Sequence, residues 1–284
     1  MRPVLIVTAL PCEAAPLIAA RNLKPVRGLP LFERFQVASS NEGTFVAITG
    51  VGKLKSAAAT AALGAALLKD GSPIIANFGI AGAPLHYAPL GTPFLVNKVR
   101  DAASNTRFYP DILVRHPFAE SHLETHDSPV SSPPAGAHLF DMEASGFMQA
   151  ATLLVAPSEI AIIKIVSDFC EGNKLSPSQV STLISPSAET TLNLIDTMRT
   201  EIVEPVAISE SERLLLDKIS LHAHFSLNQR LEINRAVISR KAKEQPFLTI
   251  LESVLDRVVS SKAERSALYR TLLASLQEEP EHRE

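Results

Sequence analysis

Residues 1–203 predict an α/β fold: a three-layer α-β-α sandwich around a mixed, mostly parallel sheet. Residues 204–284 predict a small all-α extension. Three observations carry this. Apolar runs rich in β-branched residues at positions 3–9, 73–77 and 160–166 have the pattern of strands covered on both faces. Helical segments rich in alanine and other small residues lie between them. From Ser209 onward the apolar periodicity is wholly helical, and Glu204-Pro205 breaks the pattern between the two parts.

Taken in order, residues 3–9 predict a central strand, followed by a helix from Ala14 to Arg21. Residues 31–37 and 43–49 predict two more strands. Thr49-Gly50-Val51-Gly52-Lys53 is a turn before an Ala-rich helix from Leu54 to Lys69. It is not a phosphate loop, because no Gly-Lys-Ser/Thr follows at the required spacing. The strand at 73–77 leads into Phe78-Gly79-Ile80-Ala81-Gly82, where two glycines past a strand leave backbone amides free to face a ligand. Residues 91–99 predict a strand. Residues 100–137 are loop-rich, with five prolines including Pro133 and Pro134, and hold one short strand within 123–130.

Asp141-Met142-Glu143 opens a small-residue helix, and Ser167-Asp168 closes the strand at 160–166. A carboxylate at a helix start and another at a strand end is how open α/β sheets build a site at their carboxyl edge. Ser176-Pro177 marks a helix start, and Thr190 to Val203 is a last amphipathic helix. In the tail, Ser209 with Glu212 and Ser226 with Gln229 have capping-box spacing. Pro246 suits a first helical turn, and Ser261 a cap for a helix ending near Leu276.

Composition excludes several function classes. The chain has 284 residues, 46% hydrophobic and 20% charged, enough to bury a core, and a net charge of −3, so no nucleic-acid or membrane partner is expected. Arg230, Arg235, Arg240, Lys241 and Lys243 read as a solvated helix face. Two cysteines, Cys12 and Cys170, make no disulfide framework and no metal-ligand spacing. Both are read as inert thiols, with a redox switch as the alternative. His116, His122, His126 and His138 cluster within 116–138 and are read as solvated or substrate-edge residues. No metal and no cofactor is expected. The apolar N-terminus meets Pro11 and Glu13 after about ten residues, too short for a membrane span. A cytoplasmic protein without a signal peptide is expected.

Five short motifs, in order, make residues 1–200 resemble the nucleoside phosphorylase/nucleosidase superfamily, which includes purine nucleoside phosphorylase and methylthioadenosine/S-adenosylhomocysteine nucleosidase. They are Ala9-Leu10-Pro11-Cys12-Glu13, Thr49-Gly50-Val51-Gly52-Lys53, Asn77-Phe78-Gly79-Ile80-Ala81-Gly82, Asp141-Met142-Glu143-Ala144 and Ser167-Asp168. The resemblance implies cleavage of an N-glycosidic bond. Glu143 would hold the ribose hydroxyls, Asp168 would protonate the departing base, and Glu13 would activate the attacking water. Met142 would pack on the sugar. Asp141, Ser167, Ile80, Ala81, Gly82, Pro129 and Val130 would complete the substrate pocket. A small nucleoside is the expected partner, and a homodimer or higher homo-oligomer the expected assembly.

The chemistry fits those residue types. An oxocarbenium-like sugar calls for a carboxylate beside the ribose and an acid for the leaving base. The alternatives are a dipole-stabilised helix-start carboxylate for Glu143, a helix N-cap for Asp168 and a solvated first-turn residue for Glu13. The sequence departs from the family at several points. The phosphorylases carry an arginine and a serine or threonine where this chain has Asn77 and Ile80, which favours water as the nucleophile over phosphate. Many nucleosidases also carry a serine at the position of Ile80. The segment from Val99 to Asp141 is short, and the base-stacking position falls on Pro129, with Phe108, Tyr109 and Phe140 as candidate substitutes. A non-catalytic nucleoside-binding or scaffold role is the third reading.

Overall fold

The computed structural model describes residues 2–132, 138–171, 175–202 and 208–277. Pro133, Pro134 and the Glu204-Pro205 break lie outside the described residues. The chain divides into two compact units, residues 1–204 and 205–284.

The first unit begins with strand β1 (Val4–Thr8) and helix α1 (Pro11–Ala20), which starts three residues before the predicted helix. Proline suits a first helical position, where its missing N–H is not needed. Two-residue strands β2 (Lys24–Pro25) and β3 (Ala38–Ser39) flank a short helix α2 (Pro30–Arg34). The strand predicted at 31–37 is therefore corrected: Pro30 opens a helical turn, and a short apolar run alone does not distinguish helix from strand. Then come β4 (Thr44–Ile48), α3 (Lys53–Leu67) and β5 (Ile74–Gly82). The Gly79–Gly82 stretch, predicted as a loop past the strand, is part of β5. There it pairs in parallel with a later strand, Gly79 opposite Lys164 and Ala81 opposite Val166.

Next are β6 (Pro93–Asp101), β7 (Arg107–Phe108) and β8 (Ala119–Thr125), the last starting earlier than the strand predicted within 123–130. Strand β9 (Leu139–Asp141) and helix α4 (Ala144–Ala151) precede β10 (Ile160–Asp168). The two predicted C-terminal segments of this unit are one helix, α5 (Pro177–Glu201), running through Pro186. Ser176 and Gln179 form its capping box, an arrangement that contributes about 1 kcal/mol.

Among the described residues the sheet is mixed. Parallel ladders join β4, β1, β5 and β10, and a second parallel set joins β6, β8 and β9; β6 runs antiparallel to β10. Alternation along the strands divides the core. Ile6, Phe78 and Ile163 pack with Leu17 of α1 and Ile184 of α5. Val7, Ile75 and Ile162 pack with Leu63 of α3 and Phe147 of α4. Helices α3 and α4 touch closely: a Cβ on Gly146 would lie 2.1 Å from the Lys53 carbonyl oxygen. Only glycine allows that crossing.

The second unit holds α6 (Glu210–His222), α7 (Leu227–Ala242), α8 (Leu248–Glu252) and α9 (Lys262–Gln277). Ser209 and Ser226 cap α6 and α7 as predicted, while Pro246 sits just before the α8 cap rather than inside its first turn. Leu216, Ile219, Val237, Leu251 and Leu272 form its own core. The basic stretch of α7 is partly consumed internally. Arg230 pairs with Asp217, Lys241 with Glu212, and Arg240 donates to the Pro246 and Ser275 carbonyls. Among the described residues, no helix is long and apolar enough to cross a membrane.

Candidate active site

Four chain segments end at the same sheet edge, and a cavity of about 200 Å³ lies between them. The start of α1 contributes Glu13, the end of β5 Ile80, Ala81 and Gly82, and the β9–α4 junction Asp141, Met142 and Glu143. The end of β10 contributes Ser167 and Asp168. Pro129 and Val130 come from the loop after β8. All of the sequence-predicted site residues therefore line one cavity. Phe140 lines it too; Phe108 and Tyr109 are not among its lining residues.

Glu13 is 2% exposed, not a solvated first-turn residue. Its Oε2 accepts the amides of Ala9 and Leu10, both at 2.8 Å, and its Oε1 accepts the Ile80 amide at 3.0 Å. A carboxylate offers about four acceptor positions, so one remains open. Gly79 makes this possible, because a Cβ there would sit 2.7 Å from Oε1. Burial pushes the Glu13 pKa up, and Lys164 and the three amides pull it partly back.

Glu143 occupies the N-cap position of α4, yet its side chain does not cap that helix. Its Oε1 instead accepts the Gly52 amide at 2.9 Å, at the N-terminus of α3. Glu143 therefore accepts an amide at the start of α3, not one of the helix that it begins. Its pKa is raised to about 7: burial is the largest cause, Lys164 and the Gly52 amide work against it, and Asp141 and Glu13 work with it.

Asp168 is half-buried at the end of β10. Its Oδ1 accepts the Cys170 amide at 2.9 Å, and Ser167 Oγ lies 2.7 Å from its Oδ2. It does not cap α5; Ser176 does. Cys170 lines the cavity, and burial, then Asp168, pushes its thiol up to about 11. Burial, then Glu13, also raises the Cys12 thiol. Neither sulfur is held as a thiolate.

The sequence reading missed Lys164. It lies in the middle of β10, 1% exposed, with Nζ 2.9 Å from Asp141 Oδ2. Burial opposes its charge, but Asp141, Glu143 and Glu13 outweigh burial and raise its pKa. A lysine inside an otherwise apolar strand was the available signal. Asp141 spends its oxygens on the protein: Oδ1 accepts Thr125 Oγ1 at 2.7 Å, and Oδ2 accepts the Ala144 amide at 2.8 Å as well as Lys164.

A second unforeseen group lies beside the cavity. Lys53 Nζ is 2.9 Å from Asp101 Oδ2 and 2.8 Å from Asp127 Oδ1. Burial works against the Asp101 charge, but hydrogen bonds from Ser104, Ser145 and Lys53 win and hold it well below the usual carboxylate range. The bond to Asp127 is the largest influence raising the Lys53 pKa. Of the histidines, His126 bonds Glu124, and His122 meets His138 edge-on with ring centroids 5.1 Å apart.

No family model and no curated protein sequence matches the chain. Its fold is that of solved nucleosidases. The 5′-methylthioadenosine nucleosidase of Arabidopsis thaliana in apo form superposes with a TM-score of 0.54 at 21% identity, over 70% of this chain and 97% of that one. The 5′-methylthioadenosine/S-adenosylhomocysteine nucleosidase of S. pneumoniae with a transition-state inhibitor gives 0.54 at 19% identity, over 68% and 98%. Helicobacter pylori futalosine hydrolase gives 0.53 at 14% identity, over 71% and 98%.

Proposed function

We propose that the chain hydrolyses the N-glycosidic bond of a purine-type nucleoside or nucleoside-like metabolite. The observation that carries this is the convergence of Glu13, Glu143 and Asp168 on one cavity whose described lining contains no arginine or lysine. In this reading Glu143 accepts hydrogen bonds from the ribose hydroxyls, which strengthen as positive charge builds on the sugar. Asp168 gives its proton to the departing base. Glu13 takes a proton from water through its remaining acceptor position, and the water oxygen bonds to the anomeric carbon as the base leaves. Burial of Glu13 makes it a stronger base than an exposed glutamate. Met142 packs against the sugar, and Phe140 is the aromatic side chain available at the cavity to meet the base.

The same reading takes residues 1–203 as a catalytic domain with a three-layer α-β-α architecture, supported by the two cores on opposite faces of the sheet. Residues 204–284 are read as an appended helical domain. A substrate class like that in the neighbours' names (5′-methylthioadenosine, S-adenosylhomocysteine, futalosine) follows by analogy of fold. Phosphorolysis is the second reading. It is disfavoured because a phosphate dianion in this cavity would face carboxylates with no guanidinium partner.

The test incubates purine nucleosides carrying varied 5′ groups with the protein, with and without phosphate. Release of free base and free sugar in phosphate-free buffer supports hydrolysis. A sugar 1-phosphate formed only with phosphate overturns hydrolysis. No cleavage, with a melting temperature raised by a nucleoside, supports binding without catalysis.

A further inference from the structure

Lys53 stands between two carboxylates of opposite character. Asp101 is fixed and 7% exposed, with Oδ1 taking the Ala103 and Ser104 amides and Ser104 Oγ, and Oδ2 taking Ser145 Oγ at 2.7 Å. Asp127 lies on the loop after β8, and its side chain is 71% exposed. The next three residues, Ser128, Pro129 and Val130, form one wall of the cavity. On the other side of Lys53, Gly52 donates to Glu143 and Val51 lines the cavity. The Ser145 amide donates to Thr125 Oγ1, which donates to Asp141, the partner of Lys164. Lys53 is thus joined to the rigid frame through Asp101 and to an exposed wall through Asp127 alone.

We propose that Lys53 is a positioning residue that clips the wall at 128–130 to the head of α3, through an Asp127 ion pair anchored on Asp101. The kinetic part rests on the nucleosidase reading; the mechanical part does not. The clip holds the wall against the base side of the cavity without touching substrate. An ion pair with one exposed partner has a small effect, up to about fivefold in an equilibrium, and salt weakens it.

The test uses the full chain and Asp127→Ala, whose exposed position leaves the core intact, with Asp127→Glu as the rescuing variant. Hydrogen exchange over residues 124–132 is read at low salt and at about 1 M salt, where the screening length falls to about 3 Å. The expected result is exchange about threefold faster in Asp127→Ala, restored by Asp127→Glu, with high salt moving wild type toward Asp127→Ala and leaving that variant unchanged. With 5′-methylthioadenosine as probe, KM rises about threefold in Asp127→Ala and kcat stays within about twofold. Unchanged exchange, or unchanged KM in a protein that cleaves the probe, overturns the clip. If wild type cleaves no nucleoside, the functional reading falls while the exchange measurement still decides the clip.

Discussion

Lys164 Nζ lies 2.9 Å from Asp141 Oδ2, with both side chains almost wholly out of solvent. The same ammonium is the cation that offsets Glu13 and Glu143. Removing it leaves buried carboxylates uncompensated. Lys164→Met is expected to lose about 3–5 kcal/mol of stability. The sign of the pH dependence follows. The raised pKa of Lys164 keeps it charged, and its contribution is lost only as pH rises beyond the usual lysine value. Between pH 5 and 9 the change comes from Glu143, which takes up a proton as pH falls through about 7 and then needs the cation less. Thermal melts should show a larger deficit at pH 9 than at pH 5; an equal deficit contradicts this.

Glu143 has a folded-state pKa near 7 against an ordinary 4.5. A raised acid favours the fold below pH 4.5, and that contribution is lost as pH rises through about 7. Glu143→Gln should therefore become more stable relative to wild type between pH 5 and 8, by on the order of 2 kcal/mol. Denaturant titrations at both pH values read it. A Gln variant that loses ground as pH rises would refute the raised pKa.

The same ionisation should appear in catalysis. In the proposed reaction only the carboxylate form of Glu143 can accept from both ribose hydroxyls, so kcat/KM should rise as pH passes about 7. A profile flat from pH 5 to 8 would remove Glu143 from that role.

Asp168→Asn keeps an oxygen able to accept the Cys170 amide, so the fold should survive. Turnover of ordinary nucleosides should fall by about 10²–10⁴. A ribosyl substrate whose leaving group needs no proton, such as a nitrophenolate, should lose far less. Equal losses on both substrates would mean Asp168 is not the acid.

Gly79→Ala puts a methyl group 2.7 Å from the present position of Glu13 Oε1, closer than the two atoms can sit. The carboxylate must move, and turnover should drop about tenfold or more while stability falls by about 1–3 kcal/mol. Circular dichroism melts alongside initial rates separate the two effects.

The carboxylates that line the cavity were legible because each stands in a short motif at the end of a strand or the start of a helix, where chain direction alone brings them to one edge. Glu13, Glu143 and Asp168 meet there for that reason. Lys164 was hidden by its neighbours: Ile162, Ile163, Ile165 and Val166 make the run look uniformly apolar. Lys53, Asp101 and Asp127 meet only through tertiary packing, and no local spacing announces such a set. The helix at Pro30–Arg34 was misread because five residues are too few to display a period.

Glu13 is gripped by the amides of Ala9, Leu10 and Ile80 rather than by their side chains. Those three positions can therefore accept many side chains without releasing the carboxylate; proline is the exception, because it has no N–H to give. A site held this way tolerates drift in the residues that hold it. Two chains can keep the same carboxylate geometry while their sequences there diverge past recognition, and a comparison by sequence would register loss where the backbone has kept everything in place.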